Sequence, residues 1–198
     1  MIKFLNPCKE VPYSRFKEEY DIAIKANQEN IEAMVISSYS KSRDEINSRF
    51  VNLKIIDNKK FIFFSNYNSP KSIEFDSHDQ ISALFFWAST NTQIRIKAKI
   101  KKTEPTYNQS YFNNRDLKKN ALSISSQQSK KINSYNDVLK KYQKVLKSDK
   151  VKNCPDFWGG FSFAPYYFEF WKGHDSRINK REVYEKIGHN WDYFLIQP

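Results

Sequence analysis

Apolar residues are spaced along the chain so as to predict a strand-rich body with helices set around it. Phe16, Tyr20, Ala23 and Ile24 recur at helical spacing behind Ser14 as N-cap, which predicts a helix over 14–29. Residues 32–39 (EAMVISSY) read as a strand. So do 49–57 (RFVNLKIID) and 61–66 (FIFFSN), both rich in β-branched and aromatic residues, with Asp57-Asn58-Lys59-Lys60 suited to a tight hairpin between them. After Pro70, KSIEFDSH predicts a short helix, and 81–89 (ISALFFWAS) a buried strand. Over 92–100 the alternation is clean. Ile94, Ile96, Ala98 and Ile100 take one face, and Gln93, Arg95, Lys97 and Lys99 the other, as in an antiparallel strand with one wet side.

Residues 106–148 change character, with short helices among Lys-rich polar stretches. The clearest helix begins at Ser134, with Asp137 at capping-box spacing and a stripe of Val138, Leu139, Tyr142, Val145 and Leu146. A loop over 149–157 leads to strands at 160–164, 166–172, 181–187 and 190–196. In the second of these, Tyr167, Glu169 and Trp171 share a face opposite Phe168 and Phe170, while Phe157, Trp158, Phe161 and Phe163 read as core. The expectation is one domain over 1–198, with a helical N-terminal segment (1–30) and a helical insertion (106–148). Its class is mainly β with peripheral helices (α+β), built as an antiparallel barrel.

Composition narrows the chemistry. Lys and Arg number 33 against 22 Asp and Glu, a formal net charge of +11. Such an excess suits an anionic ligand or a nucleic acid, and also follows from a chain rich in Lys, Asn, Ile, Phe and Tyr. Only four glycines occur, none before Gly159, which excludes a P-loop and a GxGxxG turn. A bound phosphate must therefore be held by side chains. Two isolated cysteines, Cys8 and Cys154, make no disulfide framework, and three histidines lack metal-ligand spacing. The segment MIKFLNPCKEVPYS has no apolar leader region, and the longest apolar run, Ala83 to Ala88, cannot span a bilayer. A cytoplasmic setting is expected, with no membrane partner.

Four segments together resemble the pyridoxamine 5′-phosphate oxidase family of FMN-binding split β-barrel flavoproteins. They are Arg49-Phe-Val-Asn-Leu-Lys54 with Phe63-Phe-Ser-Asn66 and Ser69-Pro-Lys71; Gln93 within TQIRI; Tyr111-Phe112 with Arg115 and then Gln128-Ser129; and Phe157-Trp-Gly-Gly-Phe161, Glu169-Phe-Trp171 and Arg177-Ile-Asn-Lys-Arg181. The resemblance implies a homodimer with FMN at its interface. It implies oxidation of a small phosphorylated pyridine, pyridoxamine or pyridoxine 5′-phosphate, to pyridoxal 5′-phosphate. Molecular oxygen is the acceptor, and nucleic acid is not an expected partner.

Residue by residue, the resemblance assigns Arg49, Ser65, Lys71 and Ser129 to the FMN phosphate. Leu53, Lys54, Phe64, Gln93, Gln128, Trp171 and Arg181 line the rest of the cofactor site. Lys54, Tyr111, Arg115 and the position of Lys119 hold the substrate phosphate, and Arg177 and Asn179 face the reacting part of the substrate. One constraint stands against this set: Arg49 and Lys54 lie five apart on one predicted strand, so alternation sends them to opposite faces. The chain also departs from the family pattern. Pro70 replaces an Arg, Asn179 a His and Lys119 a Ser, and Asn120-Ala-Leu-Ser-Ile124 replaces a QIGAW-like stretch. A phenazine-biosynthesis-like oxidase and a non-enzymatic flavin-binding or basic nucleic-acid-binding protein are the alternative readings.

Overall fold

The computed structural model describes residues 1–198. Its first half runs β1 (Lys3–Leu5), α1 (Val11–Lys25), β2 (Ala33–Ser40), β3 (Glu45–Asn52), β4 (Ile55–Asp57), β5 (Lys60–Asn66), α2 (Pro70–Ser77) and β6 (Gln80–Trp87). Then come β7 (Thr92–Lys102), α3 (Pro105–Asn113), α4 (Leu117–Ser125), α5 (Tyr135–Leu146), β8 (Trp158–Lys172), β9 (Lys180–Ile187) and β10 (Asn190–Ile196). The strands form one sheet in the order β1-β4-β5-β8-β7-β6-β2-β3, with β9 and β10 continuing from β8 as a hairpin. Pairing is antiparallel except between β1 and β4, so the sheet is mixed and not closed, a split barrel with helices around it. No helix is long and apolar enough to cross a membrane.

Aromatic pairs hold the barrel together. Phe61 on β5 stacks on its cross-strand partner Phe163 on β8, and Phe63 on Phe161. Helix α1 closes one end, where Phe16 meets Phe61, Phe85 and Trp87 edge-on. Each such ring contributes about 1.5–3 kcal/mol through burial alone.

Five sequence expectations are revised. Helix α1 starts at Val11, not 14, because Pro12 fits the first turn, where its missing N–H has no intrahelical partner to lose. It stops at Lys25 before Asn27, whose φ is 54°, and leaves Ile24 exposed rather than in the core. The strand expected over 49–57 is two strands, interrupted at Leu53 and Lys54. The strands expected at 160–164 and 166–172 are one. Pro165 did not break it, because a bulge opposite Lys97 and Ala98 absorbs the extra residue, and Pro165 needs no ladder N–H there. Strand β6 buries only one face, leaving Phe86 exposed. The stripe of α5 is likewise half covered, with Leu139 exposed; Ser134 does cap it, but by accepting the Asn136 N–H (3.2 Å), without the reciprocal capping-box bonds to Asp137.

With so few glycines, asparagine makes the turns. Eight non-glycine residues have positive φ, and Asn6, Asn27, Asn30, Asn58 and Asn91 are five of them. Their short amide side chains tolerate the left-handed region by bonding locally. Asn58 makes the hairpin predicted between β4 and β5.

Phe16→Ala should destabilise the protein by about 3–5 kcal/mol. Leu139→Ala, on the half-covered α5, should change stability by less than about 1 kcal/mol. Urea unfolding midpoints check both, and equal losses would contradict the division between core and insertion.

Candidate active site

One cavity of about 410 Å³ opens where β3, β5, α2 and the helical insertion meet. Its lining includes nine of the residues singled out in the sequence: Arg49, Lys54, Phe64, Ser65 and Lys71 from the barrel, and Tyr111, Arg115, Gln128 and Ser129 from the insertion. Four of these are cations, and no carboxylate lines the cavity.

The strand break resolves the alternation problem. Leu53 turns its side chain wholly into the core, its N–H donating to Glu32 O (2.8 Å), and the Lys54 N–H donates to Ile62 O (2.9 Å). Two irregular residues thus reset the face, and Arg49 and Lys54 reach the same cavity. Lys54 Nζ also lies 3.3 Å from Glu32, outside the lining.

Arg49 is fixed from behind. It donates to Glu74 Oε2 (2.9 Å), Ser38 Oγ (2.6 Å) and Asn47 O (2.9 Å). Glu74 is buried and also receives bonds from Ser38 Oγ and Asn47 Nδ2. Lys71, in the first turn of α2, is almost as buried and donates to Ser69 Oγ (3.0 Å). Burial, and secondarily the Arg49 charge, lower its pKa to about 8, against a smaller opposing pull from Glu74. An anion arriving beside Lys71 would hold its proton more firmly.

The insertion forms the opposite wall. Asn108 of α3 is buried against the Gly159-Gly160 pair: its Oδ1 accepts the Gly160 N–H (2.8 Å), and its Nδ2 donates to Tyr67 Oη (2.9 Å). A Cβ at Gly159 would meet the Tyr67 and Asn108 side chains, so this contact requires glycine. Docked this way, α3 lays Tyr111 flat on Phe64, with centroids 3.6 Å apart. Phe64 stacks in turn on Trp158, and the Arg115 guanidinium lies 4.9 Å over the Trp158 ring. Arg115 donates to Ser123 Oγ (2.7 Å) and Lys119 O (3.1 Å). Burial raises the Tyr111 pKa, so its phenol is a neutral donor at ordinary pH.

Other expected site residues lie apart from this cavity. Lys119 is exposed and contributes only its carbonyl to Arg115, because α4 turns its side chain outward. Gln93, Trp171 and Arg181 are successive cross-strand partners on β7, β8 and β9, on the face opposite the core. Buried Glu169 anchors that row, accepting from Arg181 Nε and Nη2 (2.9 and 2.7 Å), Arg95 Nη1 (2.7 Å) and Tyr167 Oη (3.1 Å). Arg177 and Asn179 occupy the β8–β9 loop, where Asn179 Oδ1 accepts the His174 N–H (3.0 Å). Among the eight positive-φ residues, six are Asn or Asp; the exceptions are Ser129 and Arg177, both expected site residues. Such strain persists only where surrounding structure enforces it, and it concentrates at functional positions.

The sequence reading gave no role to Glu74, Asn108, Ser123 or Glu169, and took Trp158 as plain core. Glu74 had a signal, since Lys71, Glu74 and Phe75 fall on one face of a short helix. Asn108 had none, because Tyr67 and Gly160, which it bonds, lie 41 and 52 residues away.

Comparison with known proteins places the chain in a family. Residues 158–198 match the family model described as the pyridoxine 5′-phosphate oxidase C-terminal dimerisation region. The chain is 30% identical over 191 residues to pyridoxine/pyridoxamine 5′-phosphate oxidase 1 of Hydrogenovibrio crunogenus, covering 94% of this chain and 88% of that one. It is 36% identical over 171 residues to the Colwellia psychrerythraea pyridoxine/pyridoxamine 5′-phosphate oxidase, covering 84% and 77%. Two crystal structures share the fold. PhzG of Burkholderia lata, in complex with tetrahydrophenazine-1-carboxylic acid, gives a TM-score of 0.87 at 24% identity, covering 98% of this chain and 95% of that one. A pyridoxamine 5′-phosphate oxidase-related, FMN-binding protein of Nostoc punctiforme gives 0.78 at 8% identity, covering 96% and 99%. By relatives matched along most of their length, the chain is an oxidoreductase that belongs to the pyridoxine/pyridoxamine 5′-phosphate oxidase family.

Proposed function

We propose that this protein is an FMN-dependent oxidase of pyridoxamine and pyridoxine 5′-phosphate, forming pyridoxal 5′-phosphate with molecular oxygen as acceptor. The observation that carries the reading is the cavity lined by Arg49, Lys54, Lys71 and Arg115 with no carboxylate among them. Its donors fit two phosphate esters. Arg49 and Lys71, with the hydroxyls of Ser65 and Ser129, would hold the FMN phosphate. Lys54, Arg115 and the Tyr111 phenol would hold the substrate phosphate. Bound FMN supplies a two-electron acceptor that oxygen regenerates. The chain's own part is to bind and orient. Glu74 keeps Arg49 pointed at the cradle, and the stack of Tyr111, Phe64 and Trp158 shields one wall from water.

In this reading a second copy of the chain brings Gln93, Trp171, Arg177 and Arg181 to the same cofactor. Three observations support it. Those residues lie outside their own chain's cavity, and all but Gln93 fall within the matched dimerisation region. Ile46, Phe50 and Phe86 are exposed apolar residues on the same sheet face as Gln93 and Trp171, where an interface core would need them. A second reading keeps the flavin but takes an acidic aromatic substrate. It is favoured by Asn179, which stands where the family pattern has a histidine.

With FMN bound and oxygen excluded, adding pyridoxamine 5′-phosphate should bleach the flavin absorption band. A persistent band would shift the assignment to the second reading, and absence of flavin binding would refute both. FMN affinity should fall above about pH 8 by up to tenfold per pH unit. There the free protein has lost the Lys71 proton and must regain it on binding, so Lys71→Met should remove the slope in a fluorescence titration. Arg177→Ala should lower kcat/KM by about 10–100-fold and leave FMN affinity within about twofold, as expected for a residue that contacts substrate. Parallel loss of both would contradict that role.

A further inference from the structure

Seven residues, 173–179, join β8 to β9 between the paired Lys172 and Lys180. The loop is anchored at its start by the Gly173 N–H, which donates to Asn91 O (2.9 Å). Beyond that point residues 174–178 are all exposed, so packing does not define their backbone. His174 is the hub instead. Its N–H donates to Asn179 Oδ1 (3.0 Å), its carbonyl accepts the Arg177 N–H (2.8 Å), and its Nδ1 accepts the Ser176 N–H (3.1 Å).

Arg177 at the far side of this hub has φ of 60°, a conformation that a long side chain adopts only under external constraint. Its guanidinium has no hydrogen bond or ion pair within the chain. The direction in which it leaves the loop therefore depends on the backbone alone. Asn179 is the one member of this network that is partly buried, at the root of β9, and its carboxamide oxygen is already committed to His174. That acceptor carries no proton to lose or gain.

We propose that Asn179 is a positioning residue that, by accepting the His174 N–H, closes the 173–179 loop and holds Arg177 in its left-handed conformation. The inference rests on the reading above that Arg177 faces the substrate. Under it, the asparagine acts through Arg177 and does not itself touch the reacting atoms. A change from a ring to a carboxamide at this position then alters how the loop is built.

Asn179→Leu removes the acceptor at similar volume, and Asn179→Asp retains it. Amide exchange by NMR reads His174 and Arg177 directly, in the FMN-free and FMN-loaded protein. Both amides should exchange faster in Asn179→Leu and return to wild-type protection in Asn179→Asp. Turnover of pyridoxamine 5′-phosphate should follow. Asn179→Leu should lose about tenfold or more in kcat/KM, toward the Arg177→Ala value, with FMN affinity within about twofold, and Asn179→Asp should recover to within about threefold. Unchanged exchange in Asn179→Leu overturns the clamp. So does an Asn179→Asp variant as defective as Asn179→Leu. Faster exchange with wild-type kcat/KM overturns its link to Arg177. If the wild-type protein binds FMN but turns over neither phosphorylated pyridine, the functional reading has failed, and the two amides alone decide the clamp.

Discussion

Strand β8 is the constraint on which the rest of the molecule depends. It is fifteen residues long and pairs with β5, β7 and β9. Its first half carries Phe161 and Phe163, which stack on β5, and the Gly159-Gly160 pair, which admits Asn108. Its second half carries Glu169 and Trp171, which face away from the core. The bulge at Pro165 lets both halves keep apolar residues inside despite the extra residue between them. The cation-lined cavity and the Trp171 row are thus tied to one another by a single strand, and a slip in its register would disturb both.

The same electrostatic device occurs on each side of that strand. A buried carboxylate holds an arginine from behind, and the cavity in front of Arg49 is free of acid. Glu74 does this for Arg49, and Glu169 for Arg181 and Arg95. The geometry matters because removing one partner from a buried pair costs about 3–5 kcal/mol, chiefly from the charge left behind. Each carboxylate lowers the cost of keeping arginines preorganised before any anion arrives. Lys71, bonded only to Ser69 Oγ, gives up part of its hold on a proton instead.

Much of this was legible in the residues. The alternation over 92–100 fixed which side of β7 faces the core, and the four motif segments named most of the cavity lining. What could not be read had physical causes. Periodicity cannot see a two-residue break inside an apolar run, so 49–57 looked like one strand. Proline reads as a breaker when no bulge is anticipated, so β8 looked like two. Buried carboxylates were missed because their arginine partners are set by tertiary contact, 25 residues away for Glu74 and 12 for Glu169. The outward position of Lys119 could not be read, because alignment to a motif carries no information about which side of α4 a residue occupies.

The two strained positions that are neither Asn nor Asp have a consequence for how this protein can change. Glycine at 129 or 177 would adopt the observed backbone without steric penalty, and asparagine nearly so. A sequence chosen only for a firmer fold would carry those residues, as this one does at Asn27, Asn58 and Asn91. Ser129 and Arg177 are the two positive-φ positions that carry neither. They make thermostability screens a means of finding function here: substitutions that raise the melting temperature at these two sites should be the ones that a screen for activity discards.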